Sequence, residues 1–418
     1  MFREVQLKAL LEGKRILIAG YGREGRSAES LIKRLLHRAE YTIADGNEQI
    51  AAESARGCYD LIIKSPGVPM RVLGGVECSS LTDLFLQVYG DLTIGVTGTK
   101  GKSTTASLIH HLIPGSILAG NIGIPLFDIL DDLHDDSIVV AELSCHQLEN
   151  IRRGPHVAVL LNLYQEHLDH YEDYMGYKMA KMQIGLKQQA GDYFFYCTDN
   201  GELREMVESC ALRVNSGLHP YSVGDISDEE RVLLEACPLE GEHNKSNALV
   251  ACRVASLMTR QPISTFGFQL STFHGLRHRM EKVGVYQGIT WYDDSISTIP
   301  AAAIAAVQAL GRVDTLILGG FDRGIDYTPL VDFLKENPIP NLVFVGAAGR
   351  RIQQMLPTAY CSLPTHIVED DYTKIVPWCA EHTPQGGVVL LSPAAASYDA
   401  FKNFEVRGDF YREQIMKL

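Results

Sequence analysis

The 418-residue sequence has no C-x-x-C pair and no apolar run near the ~18 residues of a membrane-spanning helix. It is also short of cations, with 38 Lys plus Arg against 51 Asp plus Glu. Each shortage removes a class of protein. The nine cysteines are odd in number and scattered, which reads as reduced thiols rather than a disulfide framework or zinc ribbon. Without a long apolar run, membrane insertion is excluded. Arg3, Glu4, Lys8, Glu12 and Lys14 likewise break any signal-peptide core near the start. The net charge of -13 (38 minus 51) disfavours nucleic acid and anionic membranes as partners, though not a local pocket for a small anion. A cytoplasmic, monomeric protein is expected.

What the sequence does contain is an alternation of short apolar runs and helical patterns. Strands are expected at 15–20, 41–45, 61–64, 92–97, 137–143, 157–163, 315–319, 342–346 and 388–392. Several are apolar almost without alternation, as parallel strands buried on both faces require. Between the first two, Leu31, Ile32, Leu35 and Leu36 fall on one stripe, predicting a helix over 27–38. This is α/β architecture with mainly parallel sheets. Strand-turn-helix cycles restart near residues 15, 92 and 277, so three domains are expected. These are a Rossmann-like domain over 1–90, a central P-loop ATPase domain over 91–277, and a Rossmann-like α/β domain over 278–418. Links near 90 and 277 would permit rigid-body domain closure.

Two glycine-rich turns each follow a strand. The first, Gly20-Tyr21-Gly22-Arg23-Glu24-Gly25, has Asp45 ending the next strand. Such a turn brings backbone amides to a phosphate at a helix N-terminus, and the acid can hold a ribose. It fits a nicotinamide dinucleotide, another nucleotide or a purely structural turn, so an NAD-dependent oxidoreductase stays open here. The second runs Gly95-Val96-Thr97-Gly98-Thr99-Lys100-Gly101-Lys102-Ser103-Thr104. It lacks the first glycine of the strict P-loop, yet its amides can wrap phosphate, Lys102 can reach the β- and γ-phosphates, and Ser103 can bind Mg²⁺. ATP binding follows. Two nucleotide sites suit an enzyme that uses ATP to activate a nucleotide-linked substrate.

Glu142 ends an apolar strand, where a carboxylate can hold the nucleotide's Mg²⁺ or simply cap a helix. His167 and Asp169 crowd the next strand end. With these in place the sequence resembles the Mur ligase family over essentially its whole length. The resemblance rests on Thr97–Thr104, on Gly241-Glu242-His243-Asn244-Lys245-Ser246-Asn247-Ala248, on His278-Arg279-Met280-Glu281 and on Tyr292-Asp293-Asp294-Ser295. Glu142-Leu143-Ser144-x-x-Gln147-Leu148-Glu149 and the Leu391–Gly408 segment are similar to the D-glutamate-adding members.

The resemblance implies an ATP-dependent ligase acting on UDP-N-acetylmuramoyl-L-alanine and D-glutamate through an acyl phosphate, with two Mg²⁺ ions. By it, Gly98, Thr99, Lys100, Gly101, Lys102, Ser103 and Thr104 serve the phosphates. Ser103, Glu142, His167 and Lys181 serve the metals, Lys181 as a carbamate. Asn247, Arg279 and Asp294 contact adenine, phosphate and ribose. Gly22, Arg23, Asp45, Ser65, Gly67, Asn121, Ser144 and Gln147 serve the UDP substrate. Thr298, Arg323, Ser397, Tyr398 and Phe404 serve the amino acid. From the residues alone, Lys181 reads as a solvated helix lysine, and Ser397 and Phe404 as a cap and a core aromatic.

Three departures stand out. Ile296-Ser297-Thr298-Ile299 replaces the family's Lys-Ala-Thr-Asn, and Arg323 stands where a lysine is expected. Asp45-Gly46-Asn47 also lacks the family's uridine-contacting Thr-Arg.

Overall fold

The computed structural model describes residues 2–36, 38–121, 124–166, 170–171, 173–239, 241–273, 275–357 and 365–418. Met1–Phe273 forms one compact unit and His274–Leu418 a second.

The first unit holds two parallel sheets. One comprises β1 (Arg15–Ala19), β2 (Glu40–Ala44) and β3 (Leu61–Lys64), in the order β2-β1-β3. The other comprises β4 (Thr93–Thr97), β5 (Ile117–Gly120), β6 (Val139–Glu142), β7 (Val157–Leu160), β8 (Tyr193–Cys197) and β9 (Gly217–Tyr221). Its order is β5-β6-β4-β7-β8-β9. β4, β6 and β7 are buried at every position, because helices cover both faces of the sheet. The second unit carries β10 (Glu281–Tyr286), β11 (Ile289–Asp293), β12 (Thr315–Gly319), β13 (Asn341–Val345), β14 (Thr365–Val368) and β15 (Val388–Leu391). Their order is β10-β11-β15-β12-β13-β14, parallel except for the antiparallel β10–β11 pair.

All nine expected strands are present, eight within a residue or two, while β7 stops at Leu160, three residues short of the expected end. Of the six others, β8 is interior and is simply passed over, while the rest escaped for identifiable reasons. β5, β9, β10 and β14 lie at sheet edges, where one side stays open and the apolar signal weakens. β9 even tolerates Pro220. β10 and β11 form a hairpin closed by Gln287 and Gly288, both at positive φ.

Six helices position the sites: α1 (Arg23–Leu35), α2 (Lys102–Leu112), α3 (Cys145–Leu148), α4 (Tyr174–Leu186), α5 (Glu242–Thr259) and α6 (Phe404–Ile415). α1 starts four residues before the expected 27, because the glycine turn leads straight into it, and ends at Leu35 rather than 38. Among the described residues, no helix is long and apolar enough to cross a membrane. The eight cysteines among the described residues are free thiols.

The boundary expected near residue 90 separates the first two sheets, but a single apolar core runs through both. Ile16, Leu31 and Phe85 belong to the same cluster as Ile94, Ile109 and Val159. A buried ion pair reinforces the junction. Lys64, at the end of β3, places its ammonium 2.9 Å from Glu149 Oε2, just after α3, and donates to the Val68 carbonyl at 2.9 Å. The other Glu149 oxygen meets His170 Nε2 at 2.7 Å. Removing one partner of such a pair strands the other charge in a medium that solvates it poorly. Lys64→Met is therefore expected to cost about 3 kcal/mol, read as a lower midpoint of urea denaturation. An unchanged midpoint would show that His170 alone satisfies Glu149.

Candidate active site

The phosphate loop joins β4 to α2. Gly101 has φ +84°, and a Cβ there would lie 2.8 Å from Asn247 Oδ1 of α5, so both conformation and space demand glycine. Asn162 clamps the loop from β7's end. Its Oδ1 accepts from Lys100 N at 2.8 Å, its Nδ2 donates to Lys100 O at 3.1 Å, and its carbonyl accepts from Thr99 N at 3.0 Å. Thr99 Oγ1 lies 2.8 Å from the Tyr177 hydroxyl of α4. Lys100, Gly101, Asn162, Asn200, His243 and Asn247 line a cavity of about 800 Å³ beside the loop, ample for a nucleotide.

Two ammonium groups, those of half-buried Lys102 and buried Lys181, converge on this loop. Lys102 Nζ donates to Gly98 O at 3.0 Å and Thr99 O at 2.9 Å. Lys181 Nζ, from α4, donates to the same Gly98 O at 2.8 Å and lies 5.0 Å from the centre of the Tyr177 ring. Burial lowers both pKa values, that of Lys181 to about 8, with the Lys102 charge adding to the shift. Lys181 is thus no solvated helix lysine: it is 1 % exposed.

Glu142 ends β6 beside the loop, 2 % exposed. One oxygen accepts from Asn121 Nδ2 at 2.8 Å, while Oε2 is buried with no hydrogen-bond partner. An orphaned carboxylate oxygen near a phosphate loop suits a divalent cation. Ser103, in the first turn of α2, and Lys181 of α4 are the other described candidate ligands; His167 lies outside the described residues.

A second cavity, of about 540 Å³, opens over the first sheet. Gly22, Arg23, Asp45, Ser65 and Gly67 line it together with Asn121 and Gln147 from the central sheet. Asp45 Oδ1 accepts from Tyr21 N at 3.0 Å and Ser65 Oγ donates to Gly20 O at 2.8 Å, so both also shape the glycine turn. Ser144 N-caps α3 in a reciprocal capping box with Gln147.

In the second unit, buried Asp294 accepts from Met280 N at 3.1 Å and from Ser392 Oγ at 2.7 Å, and burial raises its pKa. Arg323 Nη2 donates to the Thr298 carbonyl at 2.8 Å, tying two of the expected amino-acid contacts together. Ser397 is buried, whereas Arg279 is exposed. Tyr398, also exposed, lies edge-on to Phe321. The Phe404 carbonyl accepts from Ser295 Oγ at 2.8 Å. Arg407, 1 % exposed, organises these segments by donating to Ser295 O at 2.8 Å and Ala395 O at 3.1 Å. His278, Glu281 and Asp293 also cluster in this unit, but their atoms are spent on one another and on Arg412.

The profile of the Mur ligase middle domain matches residues 96–255. The UDP-N-acetylmuramoylalanine--D-glutamate ligase of Listeria innocua is 30% identical, with 97% of each chain covered. The UDP-N-acetylmuramoyl-L-alanine--L-glutamate ligases of Micromonospora sp. and Salinispora tropica are 33% and 32% identical, each covering 97% of this chain and 97% and 98% of their own. The chain belongs to the Mur ligase family. In fold it is similar to MurF of Acinetobacter baumannii (TM-score 0.54, 15% identity, covering 94% and 88% of the two chains). MurF of Thermotoga maritima, solved with ADP, is comparable (TM-score 0.51, 16% identity, covering 98% and 97%).

The Mur ligase phosphate loop therefore depends on residues that motif reading passed over. Asn162 and Tyr177 were invisible because their partners lie 62 and 78 residues away. Gly101→Ala forces a Cβ against Asn247 at a left-handed backbone position, a strain of roughly 1–2 kcal/mol before any clash. ATP affinity is expected to fall about tenfold or more, measured by titration calorimetry; unaltered affinity would show that the loop repacks.

Proposed function

We propose that the chain is an ATP-dependent ligase that joins D-glutamate to UDP-N-acetylmuramoyl-L-alanine in the synthesis of peptidoglycan precursors, acting as a cytoplasmic monomer. The observation that carries this reading is the Asn121–Glu142 hydrogen bond. Asn121 lines the second cavity while Glu142 faces the phosphate loop, so one 2.8 Å contact links a UDP-substrate pocket to the ATP site. A substrate anchored by its diphosphate at the glycine turn can thus present its far carboxylate to the γ-phosphate.

In this scheme an oxygen of the alanyl carboxylate attacks the γ-phosphorus, the bond to ADP breaks, and an acyl phosphate forms. The glutamate amine then attacks the carbonyl carbon, loses a proton, and phosphate departs with its C–O bond. Lys102 offsets charge on the transferring phosphoryl group. Bound Mg²⁺ would add Lewis-acid charge neutralisation, held by Ser103, Glu142 and the carbamate of Lys181, with His167 as the expected fourth ligand. The depressed Lys181 pKa favours that carbamate, because only the neutral amine captures CO₂. Asn247, Arg279 and Asp294 hold the nucleotide. Thr298, Arg323, Ser397, Tyr398 and Phe404 receive the amino acid, Arg323 offering its carboxylate a bidentate partner.

A second reading, L-glutamate as acceptor, is favoured by the relatives at 33% and 32% identity, whose names specify it. Phosphate release in the presence of UDP-N-acetylmuramoyl-L-alanine decides between them. We expect turnover with D-glutamate and little with L-glutamate, L-lysine or diaminopimelate. Turnover with L-glutamate alone would establish the second reading, and turnover with neither would remove both.

Lys181→Ala is expected to lower kcat by a factor on the order of a hundred or more, as loss of a transition-state electrostatic group does, with bicarbonate restoring part of it. In the native enzyme, recovery from CO₂ depletion at fixed CO₂ pressure should speed up as pH rises toward about 8 and level off above. Recovery independent of pH between 6.5 and 8 would count against the carbamate.

A further inference from the structure

Glu24 takes no part in the scheme above, yet it occupies a telling position. It sits in the first turn of α1, inside the glycine turn Gly20–Gly25, and lines the second cavity. Its Oε1 accepts from Gln147 Nε2 at 2.8 Å, a contact spanning 123 residues and joining the first sheet to the central one. Its Oε2 is buried without a hydrogen-bond partner.

The consequence lies in Gln147. An amide has one accepting and one donating end, and a carboxylate can meet only the donating end. With its nitrogen turned to Glu24, Gln147 must aim its oxygen at Ser144. There Oε1 accepts from Ser144 N at 3.0 Å and Ser144 Oγ at 3.1 Å, while Ser144 Oγ accepts from Gln147 N at 3.3 Å. Ser144 is two residues beyond Glu142. A carboxyl group on the glycine turn thus sets the amide orientation, and with it the loop that follows the metal-facing acid.

A half-buried acid whose second oxygen is buried without a partner is costly. Burial also raises the Glu24 pKa, against the pull of the Gln147 hydrogen bond and of Lys64 and Arg23. Lys64 cannot relieve it, being held by Glu149 and the Val68 carbonyl. A serine or threonine would fill the turn without this burden.

We propose that Glu24 is a positioning residue for the UDP-substrate: from the glycine turn that would hold the diphosphate it orients the Gln147 amide, leaving one N–H for a carbonyl of the muramoyl-peptide end. The proposal rests on the ligase reading above, since it takes that substrate to span both sheets. It makes the two walls of the cavity interdependent, so that recognition at the phosphates and at the peptide end is coupled through one side chain.

The test is binding of UDP-N-acetylmuramoyl-L-alanine at pH 8 by titration calorimetry, with ATP affinity and urea midpoint measured on the same samples. Glu24→Ala should weaken UDP-substrate binding about tenfold, the value of one hydrogen bond to a charged group, and leave ATP affinity unchanged. Glu24→Gln keeps an accepting oxygen and should stay within about threefold of wild type. Gln147→Glu sets two carboxyls against each other and should weaken binding more than Glu24→Ala does. Adding Glu24→Gln to it exchanges donor and acceptor, and should recover at least about tenfold.

Wild-type affinity in Glu24→Ala would overturn the relay, as would a folded double variant that binds no better than Gln147→Glu. Equal losses of UDP-substrate and ATP affinity would overturn it too, reducing Glu24 to a general structural part. A wild-type protein that binds no UDP-substrate would overturn the ligase reading, and the relay with it.

Discussion

Two ammonium groups share one carbonyl oxygen, that of Gly98, at 3.0 Å from Lys102 and 2.8 Å from Lys181. Like charges held so close in a desolvated site oppose each other, and much of the surrounding structure answers that opposition. Burial and the neighbouring cation together depress the Lys181 pKa to about 8. On the other side Glu142 supplies a buried carboxylate with an unused oxygen. A site with two cations, one acid and an orphan acceptor is not finished as it stands. A nucleotide's phosphates and their metal would balance it.

The parallel sheet makes that concentration of charge achievable. β4, β6 and β7 end on the same side, so their carboxyl-terminal loops bring Gly98, Glu142 and Asn162 together. α4 then returns Lys181 to a point beneath the loop. The strands themselves are fully buried, which supplies rigid support without polar side chains of its own.

How much of this could be read from residues follows from how local each feature is. The phosphate loop and nine strands, most of them interior to their sheets, declare themselves through apolar runs and adjacent glycines. Edge strands do not, since β9 and β14 are half-exposed and lack a clear pattern. The site divides the same way. Lys102 and Ser103 are legible in the motif, whereas Lys181 became visible only through the family resemblance. Asn162 and Tyr177 emerge only when distant chain segments are folded together. The Glu24–Gln147 contact has no sequence signal, because it joins two motifs that reading treats separately.

The second unit shows a different kind of dependence. Arg407 is buried with carbonyl and hydroxyl acceptors and, among the described residues, no carboxylate in hydrogen-bond range. Burial lowers its pKa accordingly, although the guanidinium stays charged. The segments it gathers, around Ser295 and Ala395–Ala396, flank Ser397 and Phe404, the positions at which an amino acid is expected. A buried cation there, only partly offset by the nearby Asp293 and Asp399, favours an anionic ligand by the same physics that operates at Gly98. Arg323 adds a second positive group, anchored to the Thr298 carbonyl rather than to an acid. A chain with net charge -13 thus places several cations that are hydrogen-bonded to carbonyls rather than carboxylates where anions are expected to bind. The overall charge reports what the protein avoids, and these local cations, set among nearby acids, report what it takes up.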